Sequence, residues 1–317
     1  MMEEARNNYA AAARHATAYY GQLARTKLGI QDLVFHETLY PAAIDSAEAR
    51  GLEIVRATEL LYSIGERNLA RTFVIPLGSQ NDDIAILSTI AEIAMDHEDP
   101  QSTLLIGKAA LARGLPVVPY AFPTRALPRY KPMGAAIDPS MVYAVMRTES
   151  EFDPRDVSPA NAVGLMQVTP EAGRDTANRF GLPYDWTRMM CDPVYNTQMG
   201  AAELAGLMRD YRGSLLLISA GYNAGRGRVE RWIAQYGDPR HPSVDPVDWV
   251  ERIPFAETRN YVQRVMEGVQ VYRTLFSNRN QAEMLGRSEI VTDQNSLKLM
   301  NNGLPTYFRN GEIQKHP

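Results

Sequence analysis

The sequence predicts a mainly α-helical protein. Alanine and leucine recur at helical spacing through its first third, and glycines at 29, 65 and 114 fall where those stretches should stop. A proline-dense segment then leads into a second helical region. The chain has 317 residues, which at roughly 150 per domain suggests two domains. Apolar residues make up 45% and charged residues 22%, globular values that exclude wholesale disorder.

Each element follows from local pattern. Residues 5–28 are alanine-rich, with Tyr19, Tyr20, Leu23 and Leu28 on a helical stripe. Asp45 or Ser46 caps a helix running to Ile64, and Glu66–Val74 forms another that stops before Pro76. Asp82–Met95 carries Ile84, Leu87, Ile90, Ala91 and Ala94 on one face, and Pro100–Arg113 closes at Gly114. Ala91–Gly114 echoes Ala57–Ala70 at about a tetratricopeptide-like period, which suggests stacked helical hairpins. An ordinary helical domain is the alternative. Six prolines between 116 and 139 break any continuous helix, so a linker is placed at 115–139. Ser140 is expected to cap the next helix, and Thr169 another with Pro170 at its first position. From Ser277 the chain turns polar and reads as a tail. The expected organisation is therefore 1–114 helical, 115–139 linker, 140–276 a second domain and 277–317 tail.

Charge and composition limit the chemistry. A net charge of −4 argues against nucleic acid as a dominant partner. One cysteine forbids an intramolecular disulfide, and five scattered histidines form no metal-ligand cluster. No metal or cofactor is expected, so carboxylates, hydroxyls and amides must carry any reaction. Met1–Leu28 lacks the basic and apolar blocks of a secretory signal, and no apolar run is long enough to cross a membrane.

One carboxylate stands out. Val142, Val145 and Met146 form an apolar stripe, and Glu149 continues it near the end of its helix. Burial and the negative end of the helix dipole would both disfavour its charge and suit it to general-acid work. From the residues alone, Glu149 turning to solvent or pairing with Arg147 or Arg155 stays open. It has suggestive company: a turn-rich loop at Ser158–Gly164, then Gly164-Leu-Met-Gln167, Ala220-Gly-Tyr-Asn-Ala-Gly225, Ile253-Pro-Phe255 and Glu257-Thr-Arg-Asn-Tyr261.

In this order and spacing, residues 134–276 resemble the catalytic domain of the soluble lytic murein transglycosylases of bacterial peptidoglycan. Glu149-Ser150 matches the family's ES motif, Gly164–Gln167 its GLMQ, Ala220–Gly225 its AYNAG with Gly221 inserted before Tyr222, and Ile253–Val262 its IPF-ETR-YV. Tyr19–Ala24 resembles the YYGQLA stretch of the helical superhelix that precedes this domain in larger members. The resemblance implies a lysozyme-like catalytic domain after a truncated superhelix, with the chain beginning inside it. It implies a periplasmic location despite the absent signal, peptidoglycan glycan strands as partner, and a possible association with other cell-wall enzymes. Glu149 becomes the single acid/base, with Ser158, Gln167, Tyr222, Asn223, Glu257 and Tyr261 as binding or supporting residues. For Glu257, capping the start of its own helix is an equal reading. Where this chain has Asn161 and Gly221 the family usually has glycine and alanine; Asn tolerates left-handed backbone, and Gly221 removes no functional group.

The reaction so implied cuts the MurNAc–GlcNAc β-1,4 bond and leaves 1,6-anhydro-MurNAc ends. A hydrolytic muramidase using Asp153 or Asp156 as second carboxylate is the nearest alternative, and a non-catalytic glycan- or protein-binding scaffold the next. Tyr184, Trp186, Tyr222 and Trp249 are available to stack on sugars, although core packing accounts for most of them equally well.

Overall fold

The fold is taken from a computed structural model that describes residues 2–30, 33 and 46–286. It is mainly α, with no β-strand among the described residues. In chain order the helices are α1 (Met2–Ala12), α2 (Tyr19–Lys27), α3 (Ser46–Gly51), α4 (Glu53–Ser63), α5 (Arg67–Gln80), α6 (Ile84–Asp96), α7 (Pro100–Ala112) and α8 (Val118–Ala121). They continue as α9 (Pro139–Glu149), α10 (Pro170–Phe180), α11 (Trp186–Cys191), α12 (Pro193–Asp210), α13 (Leu215–Ala224), α14 (Arg226–Tyr236), α15 (Pro246–Glu251) and α16 (Ala256–Gly286). Two compact units result, Val34–Ala205 and Met1–Leu33 with Gly206–Pro317.

In the unit Val34–Ala205, α4 to α8 close around Val55, Tyr62, Val74, Leu87, Ile90, Ile106 and Tyr120. Asp83 caps α6 through the amides of Ala85 and Ile86, and Asp99 caps α7 through that of Ser102. Gly107 lets α7 meet α8 closely, since a Cβ there would lie 2.2 Å from the Ala121 amide nitrogen. Two expectations fail here. The helix thought to stop before Pro76 runs through it to Gln80. Buried Ala70, Val74 and Gly78 pack this helix on α7, and that packing outweighs the lost backbone hydrogen bond. The helix expected up to Ile64 is interrupted at Leu52, and its candidate cap Asp45 lies outside the described residues.

Asp99 is the electrostatic centre of these helices. Its carboxylate accepts from Arg71 Nη2 at 2.6 Å, Ser102 Oγ at 2.8 Å and Tyr62 Oη at 2.9 Å. Burial pushes the carboxyl up, but the Arg71 pairing and the two hydroxyls outweigh it and hold it below the ordinary range. A depressed folded-state value contributes stability above the unfolded one and loses it as pH falls. Thermal stability should therefore fall below pH ~4. An Asp99→Asn protein, less stable at neutral pH, should show a shallower acid decline; parallel curves would exclude Asp99 as the cause.

In the other unit the expected helix over 5–28 is two helices, α1 and α2, broken over 13–18. The break lets α2 fold back: a Cβ on Gly21 would sit 1.9 Å from the His15 carbonyl oxygen. α2 then docks on α16. The Tyr19 amide donates to Glu267 Oε2 at 2.8 Å, Gln22 Nε2 to the Glu267 carbonyl at 3.1 Å, and Tyr20 Oη to Glu251 Oε1 at 2.6 Å. The YYGQLA stretch is thus a docking surface for α16 and the end of α15. α16 packs Val262, Val265, Val269 and Tyr272 against α13, with Leu217, Ile218 and Ala220 buried opposite. It continues through Gly286, beyond the Ser277 where composition turns polar; residues 287–317 lie outside the described set.

Candidate active site

Helix α9 begins two residues earlier than its pattern suggests. Its N-cap is Asp138, which accepts from the Ser140 amide at 2.9 Å, with Pro139 at the first position. Ser140 is not the cap, because the helix has already started at Pro139 and the Ser140 amide is itself capped by Asp138. Residues 140–147 are all buried, so α9 is covered all round rather than along a stripe. Arg147 belongs to that covering: its Nε donates to the Ala121 carbonyl at 2.9 Å and its guanidinium lies 4.0 Å over the Phe122 ring. Glu149 is the last residue of the helix and is half-buried.

The backbone just after Glu149 is unusual. Ser150 is buried and donates to the Leu165 carbonyl at 2.9 Å, tying the helix end to the GLMQ segment. Glu151 and Phe152 then have φ of 53° and 66°. Two successive non-glycine residues in left-handed backbone carry strain of about 1–3 kcal/mol each. The fold holds them: Phe152 is fully buried with its ring edge-on to Tyr143, and Glu151 ion-pairs with Lys108 of α7.

The loop opposite is self-braced. Ser158 Oγ accepts from the Ala162 amide at 3.0 Å, and Asn161 sits at φ 58°, the left-handed turn its residue type allows. Gln167, at φ 46°, donates from Nε2 to the carbonyls of Asp156 and Gly164, both at 3.1 Å. Both its N–H groups are thereby used, so its carbonyl oxygen is the group left to accept. Thr169 caps α10 through the Ala172 amide with Pro170 at the first position, as the sequence predicts.

The loop's anchor went unread in the sequence. Buried Asn196 of α12 accepts from the Met166 amide at 2.9 Å and donates to the carbonyls of Val163 at 2.8 Å and Met189 at 3.2 Å. Gly164 must be glycine on two counts: its φ is 73°, and a Cβ would lie 2.5 Å from Asn196 Nδ2. An asparagine inside a buried run of α12 was the available signal.

Glu149, Ser158 and Gln167 thus share the unit Val34–Ala205, whereas Tyr222, Asn223, Glu257 and Tyr261 belong to the other. Within that second unit, half-buried Tyr222 and Asn223 end α13, and Asn223 Oδ1 accepts from buried Thr258 of α16 at 2.7 Å. Tyr261 is buried on α16. Glu257 is exposed in the first turn of α16, where a carboxylate complements the helix dipole. Gly221 serves packing rather than flexibility, because the Tyr211 ring would stand 2.8 Å from a Cβ there. Trp249 is fully buried, edge-on to Trp232 and donating to the Gly237 carbonyl at 3.0 Å. It is core and offers no platform to a sugar. Tyr184 and Trp186 are half-buried.

Asp153 accepts from Gln101 of α7 at 3.5 Å. It lines a polar cavity of about 250 Å³ with Arg67, Arg71, Asp99 and Arg155, and Glu149 is not among the lining residues. No group of His, Cys, Asp and Glu suited to a metal occurs among the described residues.

Known proteins match this architecture. Residues 129–242 match the family model of the transglycosylase SLT domain. The soluble lytic murein transglycosylase of Escherichia coli (strain K12) is 29% identical over 250 residues, 74% of this chain and 35% of that protein. This chain therefore spans about a third of that relative's length. Among solved structures, the 70 kDa soluble lytic transglycosylase of Escherichia coli shares the fold at a TM-score of 0.66 and 24% identity, over 86% of this chain and 44% of that one. An inactive glutamate-to-glutamine mutant of the lytic transglycosylase Slt from Pseudomonas aeruginosa matches at 0.63 and 25%, over 90% and 45%. Residues 129–242 thus carry a transglycosylase SLT domain.

Proposed function

We propose that this chain is a peptidoglycan lytic transglycosylase in which Glu149 is the single acid/base, acting in the periplasm on glycan strands. The observation that carries the reading is Glu149 itself, half-buried at the end of a fully covered helix and followed by a strained, braced bend. The related Pseudomonas enzyme being inactive as a glutamate-to-glutamine mutant supports a glutamate as the required acid. Residues 140–276 are proposed as the catalytic domain and the helices before residue 115 as part of a superhelix.

Protonated Glu149 gives its proton to the glycosidic oxygen as the bond from that oxygen to C1 of MurNAc breaks. The resulting carboxylate takes the proton of the C6 hydroxyl while O6 closes on C1. The proton count returns to its start, and no water is consumed. Ser158 uses an acceptor lone pair on the Ala162 amide, so its own proton is what it offers a sugar or the acid. The Gln167 carbonyl accepts a sugar hydroxyl. Tyr222 and Tyr261 act as supporting aromatics, Asn223 holds α13 to α16 through Thr258, and Glu257 serves its helix start.

The hydrolytic alternative needs a second carboxylate near Glu149. Asp153 lines the cavity with Arg67 and Arg71, a cavity whose lining does not include Glu149. Mass spectrometry of muropeptides released from purified sacculi separates the two. Ends lighter by one water are expected; reducing ends alone would establish hydrolysis.

A further inference from the structure

Helix α7 reaches the bend that comes after Glu149. At residues 151 and 152 that bend is left-handed, and neither residue is glycine. Such backbone relaxes unless contacts oppose it. Phe152 is held by complete burial. Glu151 is about a third exposed and has no comparable seat in the core; its carboxylate pairs instead with the Lys108 ammonium. Gln101, two turns earlier on the same helix, donates a long hydrogen bond of 3.5 Å to Asp153. The base is rigid, since Leu104, Ile106 and Ala110 of α7 are buried.

We propose that Lys108 is a positioning residue: through Glu151 it keeps the bend in its strained form and so keeps Glu149 aimed at the glycosidic oxygen. This rests on the transglycosylase reading above. Lys108 acts on the bend and not on the sugar, so its loss should lower kcat and spare KM. The pair is exposed enough that global stability depends little on it.

Lys108→Met should lower kcat on murein about tenfold, with KM within about twofold and Tm within ~2 °C, while Lys108→Arg should restore kcat. Two changes at the partner isolate the strain. Glu151→Gln loses the ion pair and keeps the strain, so it should fall as Lys108→Met does. Glu151→Gly loses the pair but adopts the bend unaided, so it should keep at least about half of kcat. Equal kcat in those two variants, or a wild-type kcat in Lys108→Met, would overturn the proposal. Amide hydrogen exchange over residues 150–155 reads the clamp without catalysis and should quicken in Lys108→Met. Unchanged exchange overturns the clamp even if the wild-type protein cleaves nothing, an outcome that would sink the transglycosylase reading separately.

Discussion

Glu149→Gln should abolish murein cleavage and leave the fold intact. The substitution is nearly isosteric and removes only the ionisable proton. With a single group acting first as acid and then as base, both proton transfers are lost. One positioned acid or base typically contributes 10²–10⁴-fold, so a loss of about 10³-fold or more in kcat is expected. Stability should hold because α9 is fixed by buried residues 140–147 and by the Asp138 cap, none of which involves the carboxyl proton. Turnover of purified sacculi, with thermal unfolding alongside, checks both halves. Activity above about a tenth of wild type would remove Glu149 from the acid's role.

Asn196→Ala should give the largest stability loss of any polar substitution in this region. One amide satisfies the Met166 N–H and the Val163 and Met189 carbonyls. A buried group left without its partner costs about 1–3 kcal/mol, so a loss of about 3 kcal/mol or more is expected. For a chain of this size that corresponds to roughly 6–12 °C in Tm. Because the same amide holds the loop carrying Gln167, kcat should fall as well. Calorimetry decides the first point, and a shift under about 2 °C would show that the loop is held elsewhere.

Much of the helical framework is legible in local chemistry. Gly29, Gly65 and Gly114 come just after helix ends with φ of 74°, 82° and 87°, where glycine is the residue that adopts the conformation freely. Thr169-Pro170 starts a helix because a hydroxyl cap and a proline both satisfy the geometry of the first turn. These are interactions between near neighbours, and a sequence displays its neighbours. Pro76 misleads for the complementary reason. Its local effect is helix-breaking, but the face carrying Val74 and Gly78 is seated on α7, some thirty residues away. Ser140 misleads on a smaller scale, since Asp138 caps the Ser140 amide and starts the helix two residues sooner.

The candidate site divides along the same line. Glu149 could be singled out because its position is an intrahelical fact: an acid at the end of an apolar stretch, with matching motifs downstream. The fit of Lys108 to Glu151, Asn196 to the loop, and the Tyr211 ring to Gly221 could not. Each joins residues ten to forty-three positions apart.

The sequence by itself determined that the protein is mainly helical, where most helices end, that Glu149 closes an apolar helical stretch, and which family's motifs it carries. Those properties arise from backbone preference, capping and spacing. Tertiary structure alone decided that α9 is buried on every side, that two strained residues come after the glutamate, and that α7 and Asn196 hold the segments flanking it. Strain persists only where surrounding contacts over-determine it, and those contacts exist only once distant parts of the chain have packed.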